Sequence, residues 1–165
     1  MTTVAVLGTV LALELRESGI MNRPPRDPDT PILTPELLWR VTLIGTLILV
    51  GVFGLFEWEL AHGASVEAAR TVAVNTVIMV EIFYLLNCRS LTYSMFRIGV
   101  FSNRWVIVGI VVMVLLLLLF TYAPFMNGVL SSAPISAGAR VVAVGFAGYL
   151  LVELEKWLRR RRTGS

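Results

Sequence analysis

The sequence predicts an all-α membrane protein with four full transmembrane helices, preceded by a truncated half-helix and a proline-rich cytoplasmic loop. Of its 165 residues, 56% are hydrophobic and the mean hydropathy is +0.79, whereas a soluble domain is about 45–50% apolar. The net charge is +3, and the basic residues are nearly all arginines at the ends of apolar segments. This placement is typical of orientation signals in membrane proteins. No basic and aromatic side chains are interleaved on one face, so we expect no nucleic-acid partner.

The first two segments differ sharply in polarity. Residues 1–15 are apolar but extend only about 20 Å as a helix, which is less than the hydrocarbon core of about 30 Å. They lack a basic start and a cleavage site, so we interpret them as the inner half of a transmembrane helix and not as a signal peptide. Residues 16–35 are polar, and their prolines exclude a regular helix. Four of these prolines, Pro24, Pro25, Pro28 and Pro31, precede the helix start at Thr34 and Pro35.

The four-helix bundle is predicted over residues 36–158, and its start has a helix signature. Thr34 can cap, Pro35 suits the first helical position, and Glu36 suits the positive end of the helix dipole. The first span then covers residues 37–56. It contains small residues that favour close helix packing, namely Gly45, Gly51 and Gly54. Trp39 and Trp58 lie near the two ends of this span. The acids Glu57 and Glu59 follow the span, and we expect them to be solvated at the rim of the membrane.

The second span, residues 71–90, carries one acid, Glu81, near its middle, and Ser65 before it is a candidate N-cap. Placing a carboxylate there costs roughly 2.5–3.5 kcal/mol on insertion scales. Either Glu81 binds a cation or proton, or it is neutral and hydrogen-bonded to a neighbouring helix. Helical spacing puts Asn75 and Asn87 on other faces, so further ligands must come from neighbouring helices. The residues predicted to share the Glu81 face are Val74, Val77, Ile78, Tyr84, Leu85 and Cys88.

Two further spans complete the predicted bundle. Residues 105–122 hold no ionisable group and are expected to face lipid, with Pro124 ending the helix and residues 125–134 forming a loop. Residues 137–151 form the last span, rich in small residues. Its exit is marked by Glu153, Glu155, Lys156 and Trp157, and residues 159–165 form a basic cytoplasmic tail. The glycines of this span are Gly138, Gly145 and Gly148.

Orientation follows from the positions of the positive charges. Twelve of the 14 Lys and Arg residues lie on one predicted side, and only Arg70 and Arg140 lie on the other. The positive-inside rule therefore places the proline-rich loop and the C-terminus in the cytoplasm of a multi-pass protein of the cell membrane. The single cysteine cannot form an intrachain disulfide. The single histidine, His62, has no second ligand at metal-binding spacing, so no resident metal is predicted.

Two motifs are more specific than the spans themselves. Residues 21–26 read M-N-R-P-P-R, so that Met21, Arg23, Pro24, Pro25 and Arg26 form a compact basic core in the loop. Asn87 and Arg89 belong to an N-C-R-S sequence at the end of the second span. Over residues 3–158 the chain resembles the C-terminal membrane region of P-type cation-transporting ATPases, the branch with calcium, sodium/potassium and related bacterial pumps. In that family such a loop joins the sixth and seventh transmembrane helices.

The resemblance implies candidate ion ligands. Glu81 corresponds to the position where calcium pumps place an ion-ligating glutamate on the eighth helix, and Thr3 corresponds to a threonine of the ion site on the sixth. The sixth-helix aspartate of calcium and sodium pumps aligns with Val4, which cannot bind a cation. The resemblance therefore implies a transport site that differs from the calcium-pump site and leaves the identity of the ion open.

The chain lacks the D-K-T-G motif that is phosphorylated in this family, and it has no P-loop. No catalytic residue is predicted, and we expect no ATP hydrolysis by this chain alone. ATP and Mg²⁺ are implied only for a complete pump, with the N-terminal part of that pump as partner beside the bilayer and the cation. The chain is then a gene fragment, an expressed piece or a separate subunit of a split pump. The alternatives from the residues alone are a stand-alone four-span carrier with a buried carboxylate, or a membrane adaptor.

Overall fold

The computed structural model describes residues 2–13, 33–89 and 103–163. Within these ranges it contains six helices and no strands, so the all-α prediction is confirmed. The motif residues Met21, Arg23, Pro24, Pro25 and Arg26 lie outside the described residues. The helices are α1 (Thr2–Ala12), α2 (Pro35–Ala61), α3 (Val66–Cys88), α4 (Arg104–Tyr122), α5 (Pro124–Leu130) and α6 (Gly138–Thr163).

Polar side chains begin the helices where the sequence indicates. The Thr34 hydroxyl accepts a hydrogen bond from the Leu37 amide at 3.3 Å, and Pro35 is the first residue of α2. The Ser65 hydroxyl accepts from the Ala68 amide at 3.2 Å and caps α3. Each cap satisfies an amide that would otherwise lack a partner in the first helical turn. Both predicted helix starts are therefore confirmed.

Three described helices are long and apolar enough to cross a membrane: Leu37–Ala61, Val66–Cys88 and Arg104–Tyr122. The prediction of four full spans is confirmed for these three. Helix α6 is not among them, because Arg140 near its start and Glu153 after its middle leave only residues 141–152 as an uncharged run. Such a run of 12 residues extends about 18 Å along a helix, well short of the hydrocarbon core.

Helix α3 lies at the centre of the bundle and packs against α1, α2, α4 and α6. Its contacts with α6 and α2 are the most extensive between any two helices of the described chain. On the α2–α6 side the core centres on Val72 and Val141, and on the α1–α4 side it centres on Ile82 and Leu85. The helix that bears Glu81 is therefore supported on both sides.

The glycines divide into two groups, and the prediction that all of them pack closely was wrong for half of them. A Cβ atom built on Gly51, Gly145 or Gly148 would lie within 3 Å of a side chain on a neighbouring helix. A Cβ built on Gly45, Gly54 or Gly138 would meet no atom within 4 Å. Helix α4 has a close approach that the sequence analysis missed, where Gly109 lies against Val10 of α1.

Two other boundaries differ from expectation. Pro124 ends α4 as predicted, but the segment after it continues as α5, because proline is tolerated in a first helical turn. The stretch predicted as a loop over residues 125–134 is therefore partly helical. Helix α6 continues to Thr163, so the arginines at 159–162 extend a helix. Most of α4 is exposed as expected for a lipid-facing helix, with one buried stripe of Val106, Gly109, Met113, Leu117 and Thr121.

Candidate functional site

The Glu81 side chain lies in a groove of about 250 Å³ between α1 and α3. The three α1 residues that line it are Leu7, Gly8 and Leu11. Tyr84, Leu85 and Cys88 of α3 line it with Glu81, as the predicted helix face requires, whereas Val74, Val77 and Ile78 do not. We use "outer end" for the end of the bundle at Val66 and "inner end" for the end at Cys88, after the orientation predicted from the sequence. Glu81 is 15 residues from Val66 and seven from Cys88, so it lies about 22 Å from the outer end of α3 and about 10 Å from the inner end.

The Glu81 carboxylate lies in a largely apolar environment. Its Oε2 atom is buried and has no hydrogen-bond partner among the residues that the structure describes. The remaining lining of the groove is mainly aliphatic, so it supplies little to compensate the carboxylate. A buried carboxylate that lacks a partner is costly, and it favours a cation, a proton or a donor side chain at this position.

Thr3 is half-buried in the first part of α1, four residues before Leu7 and therefore one turn away on the same face. It is not among the residues that line the Glu81 groove. The structure thus places the two predicted ion-site residues on neighbouring helices but does not join them in one pocket. Hard divalent cations such as Ca²⁺ take six to eight oxygen ligands, so one carboxylate cannot complete such a site.

The two intramembrane asparagines of α3 contact other helices and not Glu81, as predicted. The Asn75 Nδ2 atom donates to the Thr121 hydroxyl of α4 at 2.8 Å, and that hydroxyl donates to the Leu117 carbonyl at 2.8 Å. Asn75 and Thr121 are both buried. This pair joins α3 to α4, so the Asn75 side chain has a hydrogen-bond partner within the protein.

Asn87 lies in the last turn of α3, and the predicted motif residue Arg89 is buried at the C-cap. The Asn87 backbone carbonyl and Oδ1 accept hydrogen bonds from the Lys156 Nζ atom at 2.8 and 3.3 Å. Next to this contact, Arg40 of α2 forms an ion pair with Glu155 of α6 at 3.3 Å. The inner ends of α2, α3 and α6 are therefore connected by charged side chains.

Sequence analysis placed Lys156 at the exit of the last helix, but its side chain is only 1% exposed. A signal for this was present in the sequence. Lys156 continues the small and apolar positions at spacings of three and four that form the packed face of α6. The buried residues with this spacing are Gly145, Gly148, Tyr149, Val152 and Lys156.

The outer ends of α2 and α6 are also joined. Glu59 was predicted to be a solvated rim charge, and this prediction was wrong, because the residue is buried and paired with Arg140 of α6 at 2.5 Å. The Arg140 guanidinium also lies over the Trp58 ring, 4.1 Å from its centroid. His62 is exposed and stacks on the same ring at 3.8 Å. Glu57 is exposed, as expected.

No group of three or more His, Cys, Asp or Glu side chains in the described ranges could hold a metal ion. The arrangement can therefore contribute one carboxylate oxygen, from Glu81, to a site that other groups complete.

Comparison with known proteins identifies the family of the chain. The family "Cation transporting ATPase, C-terminus" matches residues 1–158. The "Probable cation-transporting ATPase F" of Mycobacterium tuberculosis is 46% identical over 164 residues, which cover 98% of this chain and 18% of that protein. The "Cation-transporting ATPase pma1" of Synechocystis is 32% identical, over 75% of this chain and 14% of that protein. The mouse "Calcium-transporting ATPase type 2C member 2" is 31% identical, over 92% of this chain and 17% of that protein.

The chain thus spans less than a fifth of the length of these relatives. The family match covers α1 to α5 in full, including α3 with Glu81, and α6 up to residue 158. The family match and the apolar helices agree with the resemblance that the motifs at residues 21–26 and 87–90 indicate. The chain belongs to the C-terminal membrane region family of P-type cation-transporting ATPases.

Proposed function

We propose that this chain forms the C-terminal membrane part of an ATP-driven cation pump, in which it supports the transport site and contributes Glu81 as a cation ligand. The observation that carries the proposal is the buried, unpartnered Oε2 atom of Glu81 at the groove between α1 and α3. Intramembrane acids are costly and usually functional. The family to which the chain belongs is one of cation transporters.

The alternative role for Glu81 is to hold helices together by a hydrogen bond. Among the described residues, the polar groups that join helices are paired, as Asn75 with Thr121 and Asn87 with Lys156. Glu81 Oε2 has no such partner in the same ranges. This contrast favours the ligand role over the packing role.

In the complete pump, α6 would form the fourth span of this region, and α1 would be the inner half of a helix. The proline-rich loop and the end of α6 would lie in the cytoplasm of a cell-membrane protein, as the asymmetry of basic residues indicates. The charges that interrupt α6 are accommodated by partners: Arg140 pairs with Glu59 and Glu155 pairs with Arg40. A helix with paired charges near its ends can cross a bilayer despite a short uncharged run.

The remaining ligands, the nucleotide site and the phosphorylated aspartate would come from the N-terminal part of such a pump, which would use ATP with Mg²⁺. This division agrees with the share of the relatives' length that the chain covers. We propose no particular cation, because the one carboxylate in the groove is compatible with several.

The experiment is ion-dependent phosphoenzyme formation by a complete pump that carries this region, titrated separately with Ca²⁺, Mn²⁺, Na⁺ and K⁺. We expect Glu81→Gln to fold normally and to weaken the apparent affinity for the activating ion about tenfold or more, because a charge-assisted contact contributes roughly 1.5–3 kcal/mol. Glu81→Leu should remain stable in detergent, since it removes the cost of burying an acid. The matched control is Glu57→Gln, which changes an exposed acid.

The packing role predicts the reverse order. A helix-joining Glu81 would tolerate Gln without loss of ion affinity, and Leu would lower the thermal stability. Wild-type ion affinity in the Glu81→Gln pump would therefore end the ligand proposal.

A further inference from the structure

The inner end of the bundle contains a fully buried ammonium group whose role the transport proposal does not use. Lys156 of α6 is 1% exposed, and its Nζ atom donates to the Asn87 carbonyl at 2.8 Å and to Asn87 Oδ1 at 3.3 Å. The Glu153 Oε1 atom lies 3.8 Å from the same nitrogen. Asn87 in turn donates from Nδ2 toward the Tyr149 carbonyl of α6 at 3.5 Å.

The last turn of α3 and the Glu153 carboxylate together accommodate the Lys156 ammonium group, which is a compact cation with N–H donors. A helix ends with carbonyl groups that lack helical partners and with the negative end of its dipole, and Asn87 lies in the last turn of α3. The ammonium group supplies donors to this end, and the Glu153 carboxylate balances its charge. A buried lysine is tolerated only with such partners.

We propose that Lys156 is a positioning residue whose ammonium fixes the inner end of α3 against α6 and thereby sets the position of the Glu81 groove. Cys88, which follows Asn87, lines that groove. Glu81 precedes Asn87 by six residues, which is about 9 Å along the helix. Helix α6 is in turn held to α2, because Glu155, the neighbour of Lys156, forms an ion pair with Arg40 of α2. The consequence for Glu81 rests on the proposed function, whereas the fixing of α3 does not.

The single cysteine of the chain provides a local probe of this contact. Cys88 is partly buried, so its rate of reaction with a maleimide reports how often the inner end of α3 separates from its neighbours. In the purified chain in detergent, we expect Lys156→Ala to accelerate the labelling of Cys88 several-fold. The control is Arg161→Ala on the same helix, which removes an exposed cation that lies on the Trp157 ring and should leave the rate unchanged.

Chemical rescue separates the ammonium from mere packing. The compound n-propylammonium has the atoms that Lys156→Ala removes, and it should slow the labelling of that variant toward the wild-type rate. Tetramethylammonium at equal ionic strength has the charge but no N–H donor, and it should not. Lys156→Met retains the length of the side chain without the charge and should label fast with either salt.

Three results would overturn the proposal: wild-type labelling in Lys156→Ala, wild-type labelling in Lys156→Met, or equal rescue by the two ammonium salts. If Lys156→Ala does not fold, as judged by gel filtration and circular dichroism, the labelling of Lys156→Met decides the question. The ligand proposal for Glu81 can fail independently of this one. If Glu81→Gln leaves the ion affinity unchanged while the labelling of Cys88 still depends on Lys156, only the ligand proposal is refuted.

Discussion

Gly145 offers a quantitative test of how closely α3 and α6 approach each other. A Cβ atom at this position would lie 2.7 Å from Met79 Cγ, 2.7 Å from Phe83 Cδ2 and 3.1 Å from the Met79 carbonyl oxygen. The carbonyl belongs to the α3 backbone and cannot rotate away, so Gly145→Ala must shift one helix. Overpacking of this kind costs about 1–3 kcal/mol, and the better helix propensity of alanine offsets about 1 kcal/mol of that.

The matched variant is Gly54→Ala in α2, where a Cβ would meet no atom within 4 Å. Because both substitutions gain the same propensity, the difference between their free energies of unfolding isolates the steric cost, and we expect that difference to be about 1–3 kcal/mol. The assay is equilibrium unfolding of the purified chain in mixed micelles of increasing denaturing detergent. A Gly145→Ala protein as stable as the Gly54→Ala protein would refute the close approach of α3 and α6.

Two further predictions concern the outer end of the bundle. Glu59→Gln should destabilise the chain by about 1–2 kcal/mol in the same assay, because it leaves the half-exposed Arg140 without its charged partner, and an equal effect from exposed Glu57→Gln would contradict the pairing. In cells, a cysteine introduced by His62→Cys in a Cys88→Ser background should react with a membrane-impermeant maleimide from the outer face. Labelling from the cytoplasmic face alone would reverse the proposed orientation.

Local signals in the sequence were sufficient for the helix starts and for the face that bears Glu81. Thr34 and Ser65 are followed by residues that need a capping partner, and both caps form as predicted. The positions of Tyr84 and Cys88 beside Glu81 follow from helical spacing alone. These features depend on contacts within one helix, which is why one sequence could predict them.

Features that depend on two helices were not predicted. Glu59 and Lys156 are charged residues near predicted helix ends, and the packing of α6 against α2 and α3 buries them. Of the two, only Lys156 had a signal in the sequence, its helical spacing from the small and apolar residues of α6. The packing of the glycines also depends on a second helix. Gly51 and Gly54 both lie in the apolar part of α2, but only Gly51 lies against another helix, at Val144 of α6. Hydropathy also did not reveal that charged residues shorten the apolar run of α6, although the sequence contains them.

The buried polar groups of the bundle differ in whether they have a charged partner. The Tyr149 hydroxyl, Arg140 Nε and Glu153 Oε1 are also buried without a hydrogen bond in the described chain, but Tyr149 is uncharged and the other two residues are in ion pairs. Glu81 has a buried oxygen without a hydrogen bond and lies on the α1 side, away from the paired groups that join α2, α3 and α6. Removing Glu81 would remove the cost of burying an unpartnered oxygen, whereas removing Glu59 or Asn87 would take a partner away from a cation, Arg140 or Lys156. This contrast supports the proposal that Glu81 meets a cation that comes from outside the bundle.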